Sequence, residues 1–489
     1  MTNFRLDTRS GRLLAAILSG AMISIAAGLN PWWPIAWIAV TPMLAAAFIA
    51  SPLEAAELAA LTAVVGCIST TGYYLEVAGP IVALLAPVGR AVELVVAVTL
   101  TRRAVVQWRH WSSIVVFPAL TAGFDMLESW FSGHGASASF ALSQMNAIAV
   151  IQIAALAGTS GVVFTVNLFA STLAVAWYQR SGWGQFLTGY VVAGLWVLGA
   201  LAFGFIRVAA ARSEPQVPIG LVVIDTPVKV QADSIDTALW TTYKKAIDEA
   251  AQRGARIVVL PEKIAPLTSD EASPLRRALA AVAKSDQVDL LVGVTITAPD
   301  HRQNRAWLLN PSGATEADYS KRHLVPGFED GFVPGRLKMI RIVQGTLTGI
   351  AICKDMDFPK LGREYSRQDV RLMLVPAWDF GRDNWQHSRV AILRGVEGGY
   401  AIARAARDGF LTLSDCYGRV LYQAPSSNRP YASLVAKVPV GTGTTPYTLL
   451  GNTFGWLALV LGVALGVAAP AVAARRKRQT ADEKEEEDY

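Results

Sequence analysis

Three side chains stand where expected strands end, in positions where nucleophilic and acid–base chemistry could use them. The run Ile257, Val258, Val259, Leu260 opens into Pro261 and Glu262. An extended segment from Tyr319 closes on Lys321 and, after His323, on the chain-stiffening Pro326. The run Ile350, Ala351, Ile352 delivers Cys353 immediately before the polar Lys354 and Asp355. A free thiol with a pKa near about 8.5 is only slightly ionised at neutral pH, so a working nucleophile needs a base to take its proton and a cation to favour the anion. Glu262 and Lys321 are the residue types that supply both. Attack on an ester or amide carbonyl would give a thioester, with the oxyanion stabilised by Lys321 and the backbone N–H after Cys353. Glu329, eight residues past Lys321, is a second carboxylate able to orient the lysine or move protons.

Each residue alone has a plainer account. A lone cysteine is most often a small buried hydrophobe, Pro-Glu is often a turn, and a lysine is usually solvated. Cys67 falls in an apolar run and Cys416 in an expected strand, so packing explains both. His387 leaves a Cys-His mechanism open, though no sequence spacing brings it to Cys353. Three scattered cysteines make no disulfide framework, and no Cys/His spacing fits a metal site; neither metal nor cofactor is expected.

The elements that must position these groups divide the chain. Of its 489 residues 52% are hydrophobic and only 17% charged, against about a quarter charged in ordinary globular domains, so much of it belongs in lipid. The net charge of +6 does not point to nucleic acid, because basic residues cluster beside apolar runs. Those runs lie near 13–29, 34–50, 55–75, 80–101, 112–131, 150–177, 185–207 and 449–474. Most approach the roughly 20 residues of a membrane-spanning helix. Arg5, Arg9 and Arg12, then Arg102, Arg103 and Arg109, then Arg180, then the run Arg475 to Arg478 all fall on one side if eight helices cross, and the positive-inside rule makes that side cytoplasmic. The expected organisation is a seven-span membrane domain at 1–211, an extracytoplasmic catalytic domain at 212–447, an eighth span at 448–474 and a charged cytoplasmic tail at 475–489. Within 212–447, β-branched runs such as 220–224, 256–260 and 290–294 alternate with helical patterns such as 237–253, the signature of an α/β domain.

Taken together, the motifs resemble the carbon–nitrogen hydrolase (nitrilase) superfamily in order and spacing. The resemblance rests on Pro261 and Glu262, Lys321 to Pro326 with Glu329, Ile352 to Asp355 with Phe358 and Pro359, Leu374 to Gly381, His387, and Leu393 to Glu397. Eight spans with the catalytic domain inserted before the last are similar to the apolipoprotein N-acyltransferases, as are Leu29 to Pro34 and Ile151 to Gly158 leading to Val166 and Asn167. The resemblance implies an αββα sandwich on a helical membrane base and catalytic Glu262, Lys321 and Cys353; Glu329 and Asp355 are taken as auxiliary candidates beside them. It also implies a phospholipid acyl donor, an apolipoprotein acceptor and a bacterial inner-membrane location, with the chain acting as a monomer.

Several positions depart from that pattern. Lys354 and Asp355 stand where an aromatic and a glutamate usually follow the cysteine, Lys263 replaces a small polar residue, and Ala405 to Gly409 replaces a turn containing Thr and Asn. The motifs around the fifth span are not intact near Glu128 and Phe131. The Cys-Lys-Asp sequence equally suits a membrane-tethered amidase or nitrilase, which remains the alternative. Lys354 would lower the thiol pKa if it pointed inward, but strand alternation favours solvent. Trp378 either lines a substrate pocket or packs in the core. Arg90 and Glu93, one helical turn apart within an apolar run, are expected to pair with each other.

Overall fold

The computed structural model describes residues 6–472 except 181, 212–214, 227–229, 232–233 and 236. Arg5 and the tail from 475, with its basic run and acidic end, lie outside the described residues. The chain separates into two compact units: Met1–Glu128, Ser139–Arg207 and Leu450–Tyr489 form one, and Ser129–Ala138 with Val208–Leu449 the other. The segment Ser129–Ala138, which the sequence assigns to the membrane part, thus belongs with the second unit.

In the first unit six helices are long and apolar enough to cross a bilayer: Arg9–Ala26, Gly79–Trp108, Trp111–Phe131, Ala154–Tyr178, Gly184–Ala209 and Thr453–Val472. A seventh candidate, Pro52–Gly66 with Ile68–Val77, bends by 56°. Cys67 sits at that break. The expected second span is the shortest, because Pro34 and Pro42 each start a new helix, Trp33–Ala36 and Thr41–Ile49, and neither has an N–H with which to extend the helix before it. At 1.5 Å per residue the whole stretch Trp33–Ile49 reaches about 25 Å, at the lower limit for a span. Arg90 pairs with Glu93 at 3.2 Å, as expected, but also with Glu128 at 2.8 Å.

The second unit is built on two sheets. One orders its strands Tyr431–Pro439, Gln216–Ile224, Ile257–Val259, Asp289–Thr297, Arg302–Leu309, Thr315–Ser320, with Ala265–Thr268 beside Asp289–Thr297. The other runs Val420–Pro425, Phe410–Ser414, Ala401–Arg407, Leu372–Trp378, Thr346–Ile350, Met339–Val343. Leu221, Val259 and Leu308 from the first interdigitate with Ile350, Leu374 and Ala403 from the second in one core. The outer face of the first sheet is covered by Thr237–Gln252 and Ser269–Asp286, through Tyr243, Ile247, Leu275 and Leu279. The outer face of the second is covered by Pro359–Ser366 and Asn384–Gly398, through Leu361, Tyr365 and Ala391. This is an αββα sandwich, the fold class expected. Cys416 corrects a detail: it follows Phe410–Ser414 and lies buried in the turn before Val420, not in a strand.

Parallel pairing puts the ends that matter on one edge. Gln216–Ile224, Ile257–Val259 and Asp289–Thr297 pair in parallel, as do Thr346–Ile350, Leu372–Trp378 and Ala401–Arg407. Their carboxyl ends carry Glu262, Cys353 and Asp379, the crevice where open α/β sheets place their ligands. A bond from Glu262 N to Ala377 O at 3.3 Å joins the two sheets there. Gly293 permits this: a Cβ on it would lie 2.5 Å from Pro261 O and 2.7 Å from Glu262 Cα.

Candidate active site

Lys321 is fully buried between two carboxylates. Its Nζ lies 2.9 Å from Glu262 Oε1 and 2.9 Å from Glu329 Oε2. Asn304 Nδ2 bridges the same acids, donating to Glu262 Oε1 at 2.5 Å and Glu329 Oε1 at 2.7 Å. Lys263 is the second cation, 2.6 Å from Glu329 and 3.9 Å from Glu262. Two lysines thus balance two glutamates. Burial disfavours the charge on Lys321, but Glu262 and then Cys353 and Glu329 outweigh it and hold its pKa above the ordinary lysine value. Burial also opposes the charge on Glu329, yet Lys321 and Lys263 bring it down to about 2. Every contact to Glu262 falls on Oε1; no hydrogen bond or ion pair falls on Oε2 among the described residues, which leaves that oxygen open for a mobile proton.

The nucleophile candidate sits at a strained corner. Cys353 has φ of +43°, in the left-handed region that side chains rarely adopt, and begins the tight turn Cys353–Asp357. Its thiol faces Trp378 O at 3.5 Å. Burial pushes the thiol pKa up, Glu262 pushes it further, and Lys321 and Arg404 only partly offset them. The resting group is therefore the neutral thiol.

Asp355 locks this corner. Its carboxylate accepts from Ile352 N at 3.0 Å, Arg322 N at 3.1 Å, His323 N at 2.9 Å and Tyr319 Oη at 2.7 Å. One side chain thereby ties the segment after Lys321 to the turn that carries Cys353. Glu329 is fixed in a similar way by Val325 N at 2.8 Å.

Lys354 corrects an expectation. It does not point to solvent: it is buried, 3.4 Å from Asp357 and 3.3 Å from His134 Nδ1, in the segment Ser129–Ala138. Strand alternation failed because the strand ends at Ile350 and residue 354 lies inside a turn. Trp378 is 40% exposed rather than a core residue, with the Arg407 guanidinium 4.1 Å from its ring centre.

The structure also brings His387 to the site. Ligand atoms of Cys353, Asp379 and His387 all lie within 4.8 Å of one another. This cluster suits charge pairing better than metal binding. Asp379 is gripped by both terminal nitrogens of Arg404. Burial opposes a charge on His387, but Asp383 at 3.3 Å and Asp379 at 3.5 Å raise its pKa to about 9, so at neutral pH the ring is mostly protonated and a metal would have to displace a proton to bind it. Sequence reasoning did not select Asn304, Lys263, Asp379 or Arg404 as site residues. Arg404 alone left a usable signal, as a charge inside the otherwise apolar start of a strand.

An αββα sandwich with acid, lysine and cysteine at its strand ends, on a chain rich in apolar helices, defines a membrane-anchored member of the carbon–nitrogen hydrolase class. The comparisons agree. A carbon–nitrogen hydrolase family profile matches residues 230–427, and a profile described as the apolipoprotein N-acyltransferase N-terminal domain matches 19–172. A protein of Geobacter metallireducens named apolipoprotein N-acyltransferase is 26% identical over 95% of both chains. One of that name from Pasteurella multocida is 24% identical over 70% of this chain and 72% of its own. A solved amidase from Nesterenkonia sp. is 21% identical, covering 47% of this chain and 92% of its own, with a TM-score of 0.41. The two profiles and the end-to-end relatives make the chain similar, over most of its length, to the apolipoprotein N-acyltransferases.

The raised thiol gives a direct test. Alkylation of Cys353 by iodoacetamide, followed by mass spectrometry of its peptide, is expected to accelerate continuously from pH 7 to pH 10. Lys321→Met should slow it further at every pH. A plateau already reached below pH 8 would mean a pre-formed thiolate and contradict the charge balance described.

Proposed function

We propose that this chain moves a fatty acyl group from a phospholipid, through a thioester on Cys353, to the N-terminal amine of a diacylglyceryl-cysteine lipoprotein. The observation that carries this reading is the buried Lys321 held at 2.9 Å by both Glu262 and Glu329 beside the Cys353 thiol, in a chain whose end-to-end relatives bear the acyltransferase name.

In the first half-reaction Glu262 takes the thiol proton through its uncommitted oxygen while sulfur attacks the ester carbonyl. Negative charge develops on the carbonyl oxygen. Lys321 has an N–H beyond those spent on the two glutamates, and the backbone N–H of Lys354 opens a turn; both can receive that charge. The ester C–O bond breaks, and the departing lysophospholipid oxygen takes the proton from Glu262. In the second half-reaction the lipoprotein amine attacks the thioester, Glu262 takes its proton, the C–S bond breaks and the proton returns to sulfur. Glu329 keeps Lys321 charged and in place, and Asp355 fixes the corner at Cys353. Trp378, exposed at the strand end, would form a wall for the acyl chain or the acceptor.

The charge distribution supports a bacterial inner-membrane location with the catalytic unit outside. That side depends on Trp33–Ile49 crossing, since it makes the number of spans before the catalytic unit odd. Reporter fusions after Gln107 should read cytoplasm and one after Ser269 the exterior; a cytoplasmic reading at Ser269 would exclude access to exported lipoproteins.

With phospholipid and a diacylglyceryl-cysteinyl peptide, purified enzyme should yield N-acylated peptide. Cys353→Ala, Lys321→Ala and Glu262→Ala should each lower the rate by orders of magnitude, and any double variant should be little worse than the worst single, because the three act as one unit. Release of free fatty acid or of ammonia from small amides, with no N-acylated peptide, would make the chain a hydrolase.

A further inference from the structure

The turn that carries Cys353 is braced on a second side by a segment to which the mechanism above gives no task. Ser129–Ala138 belongs to the catalytic unit and packs on Cys353–Asp357. Ala136 N donates to Asp357 O at 2.8 Å. His134 Nδ1 lies 3.3 Å from Lys354 Nζ, which also pairs with Asp357 Oδ2 at 3.4 Å. Gly135 stands between these two contacts with φ of +56°, and a Cβ on it would lie 2.4 Å from Asp357 O, so the approach requires glycine. Gln386 Nε2 donates to Ser137 O at 2.5 Å and ties the segment to helix Asn384–Gly398 as well.

The contact between Lys354 and His134 fixes the state of the imidazole. An ammonium has only donors, so Nδ1 must accept, and the ring is neutral with its proton on Nε2. A second proton would remove the acceptor and set two cations side by side. The residue is exposed, so protons reach it. Lys354 and Asp357 face it from the turn and His387 from helix Asn384–Gly398, while its own segment holds no other titratable side chain. Desolvation and then Lys354 hold its pKa below the ordinary histidine value, with Asp357 opposing and His387 adding to the shift. The contact is therefore complete above that ordinary value and is lost as the pH falls through the lower, folded-state one.

We infer that His134 and Lys354 are positioning residues: their contact holds the strained Cys353 corner, and with it the Lys354 N–H that receives the carbonyl charge, and protonation of His134 releases that hold. The inference rests on the Cys353 mechanism proposed above, but its first test needs no acyl transfer. Hydrogen–deuterium exchange of the full-length protein in detergent is followed by mass spectrometry at pH 7.5 and pH 5.5, with intrinsic rates corrected for pH. Protection of the peptides containing Ala136 and Cys353 should fall by roughly tenfold or more at the lower pH. His134→Gln, whose amide oxygen can replace Nδ1 as acceptor, should stay protected at both, and Lys354→Met should be poorly protected at both. Equal protection of the unaltered protein at the two pH values would overturn the inference, and that comparison decides even if a variant does not fold. So would an equally large fall in His134→Gln, which would assign the change to Asp357 or His387. In the acyl-transfer assay, acidification should lower kcat of the unaltered enzyme more than that of His134→Gln, with KM for phospholipid unchanged. An equal fall in the two would reduce the contact to a structural brace and overturn the positioning role. The predicted exchange pattern in a protein that transfers no acyl group would instead sink the transferase reading and leave the hold on the Cys353 corner standing.

Discussion

The contact on which the site depends is the ammonium of Lys321 pinned between Glu262 and Glu329 with almost no water around it. Removing one partner from such a buried set leaves a bare charge, at a cost of roughly 3–5 kcal/mol. The chain avoids that by completing the set: Lys263 adds the second positive charge and Asn304 ties the two acids together. The quartet is then neutral, and a thiolate at Cys353 would make it net negative in a buried pocket. That is why the thiol rests protonated, and why it needs a base at the moment of attack. In the proposed mechanism Glu262 is that base, since its bonds among the described residues gather on one oxygen.

The fold is arranged to hold that quartet rigid while leaving one corner strained. Parallel strands from both sheets end on the same edge, and Gly293 lets the backbone of Glu262 come close enough to bond across to Ala377. Two residues of the site, Lys263 with φ of +55° and Cys353, occupy left-handed conformations that cost about 1 kcal/mol or more each. Asp355, with its five hydrogen bonds from the segments around Lys321 and Cys353, is what holds the second of these in place. Its position after Lys354 departs from the family pattern in residue type, yet the carboxylate still performs a tethering task.

Glu262 and Cys353 were legible in the sequence because each follows an apolar run, and in a parallel sheet such ends converge; Lys321, after a polar antiparallel strand, and Glu329, in the loop beyond it, were legible only from their spacing in the motif. The αββα class was legible from the alternation of short β-branched runs with amphipathic helices. What escaped was whatever depends on tertiary approach. Lys263 read as a departure, since nothing local shows that a lysine just past a strand end will swing onto a glutamate far along the chain. Lys354 was misjudged because an alternation rule was applied beyond the strand to which it belongs. Asp379, His387 and Arg404 lie within 25 residues of one another but on a strand end, a helix and the next strand, and they meet only when these pack. In the membrane unit the proline pair Pro34 and Pro42 was visible, but the resulting shortness of Trp33–Ile49 was not taken from it.

The proposed reading requires a thioester on Cys353 that waits, shielded from water, for an amine. The most direct measurement is the mass of the Cys353 peptide from enzyme purified from its membrane without acceptor. It should carry a fatty acyl group that neutral hydroxylamine removes. A free thiol on that peptide after incubation with every phospholipid supplied, alongside turnover that survives Cys353→Ala, would contradict the account.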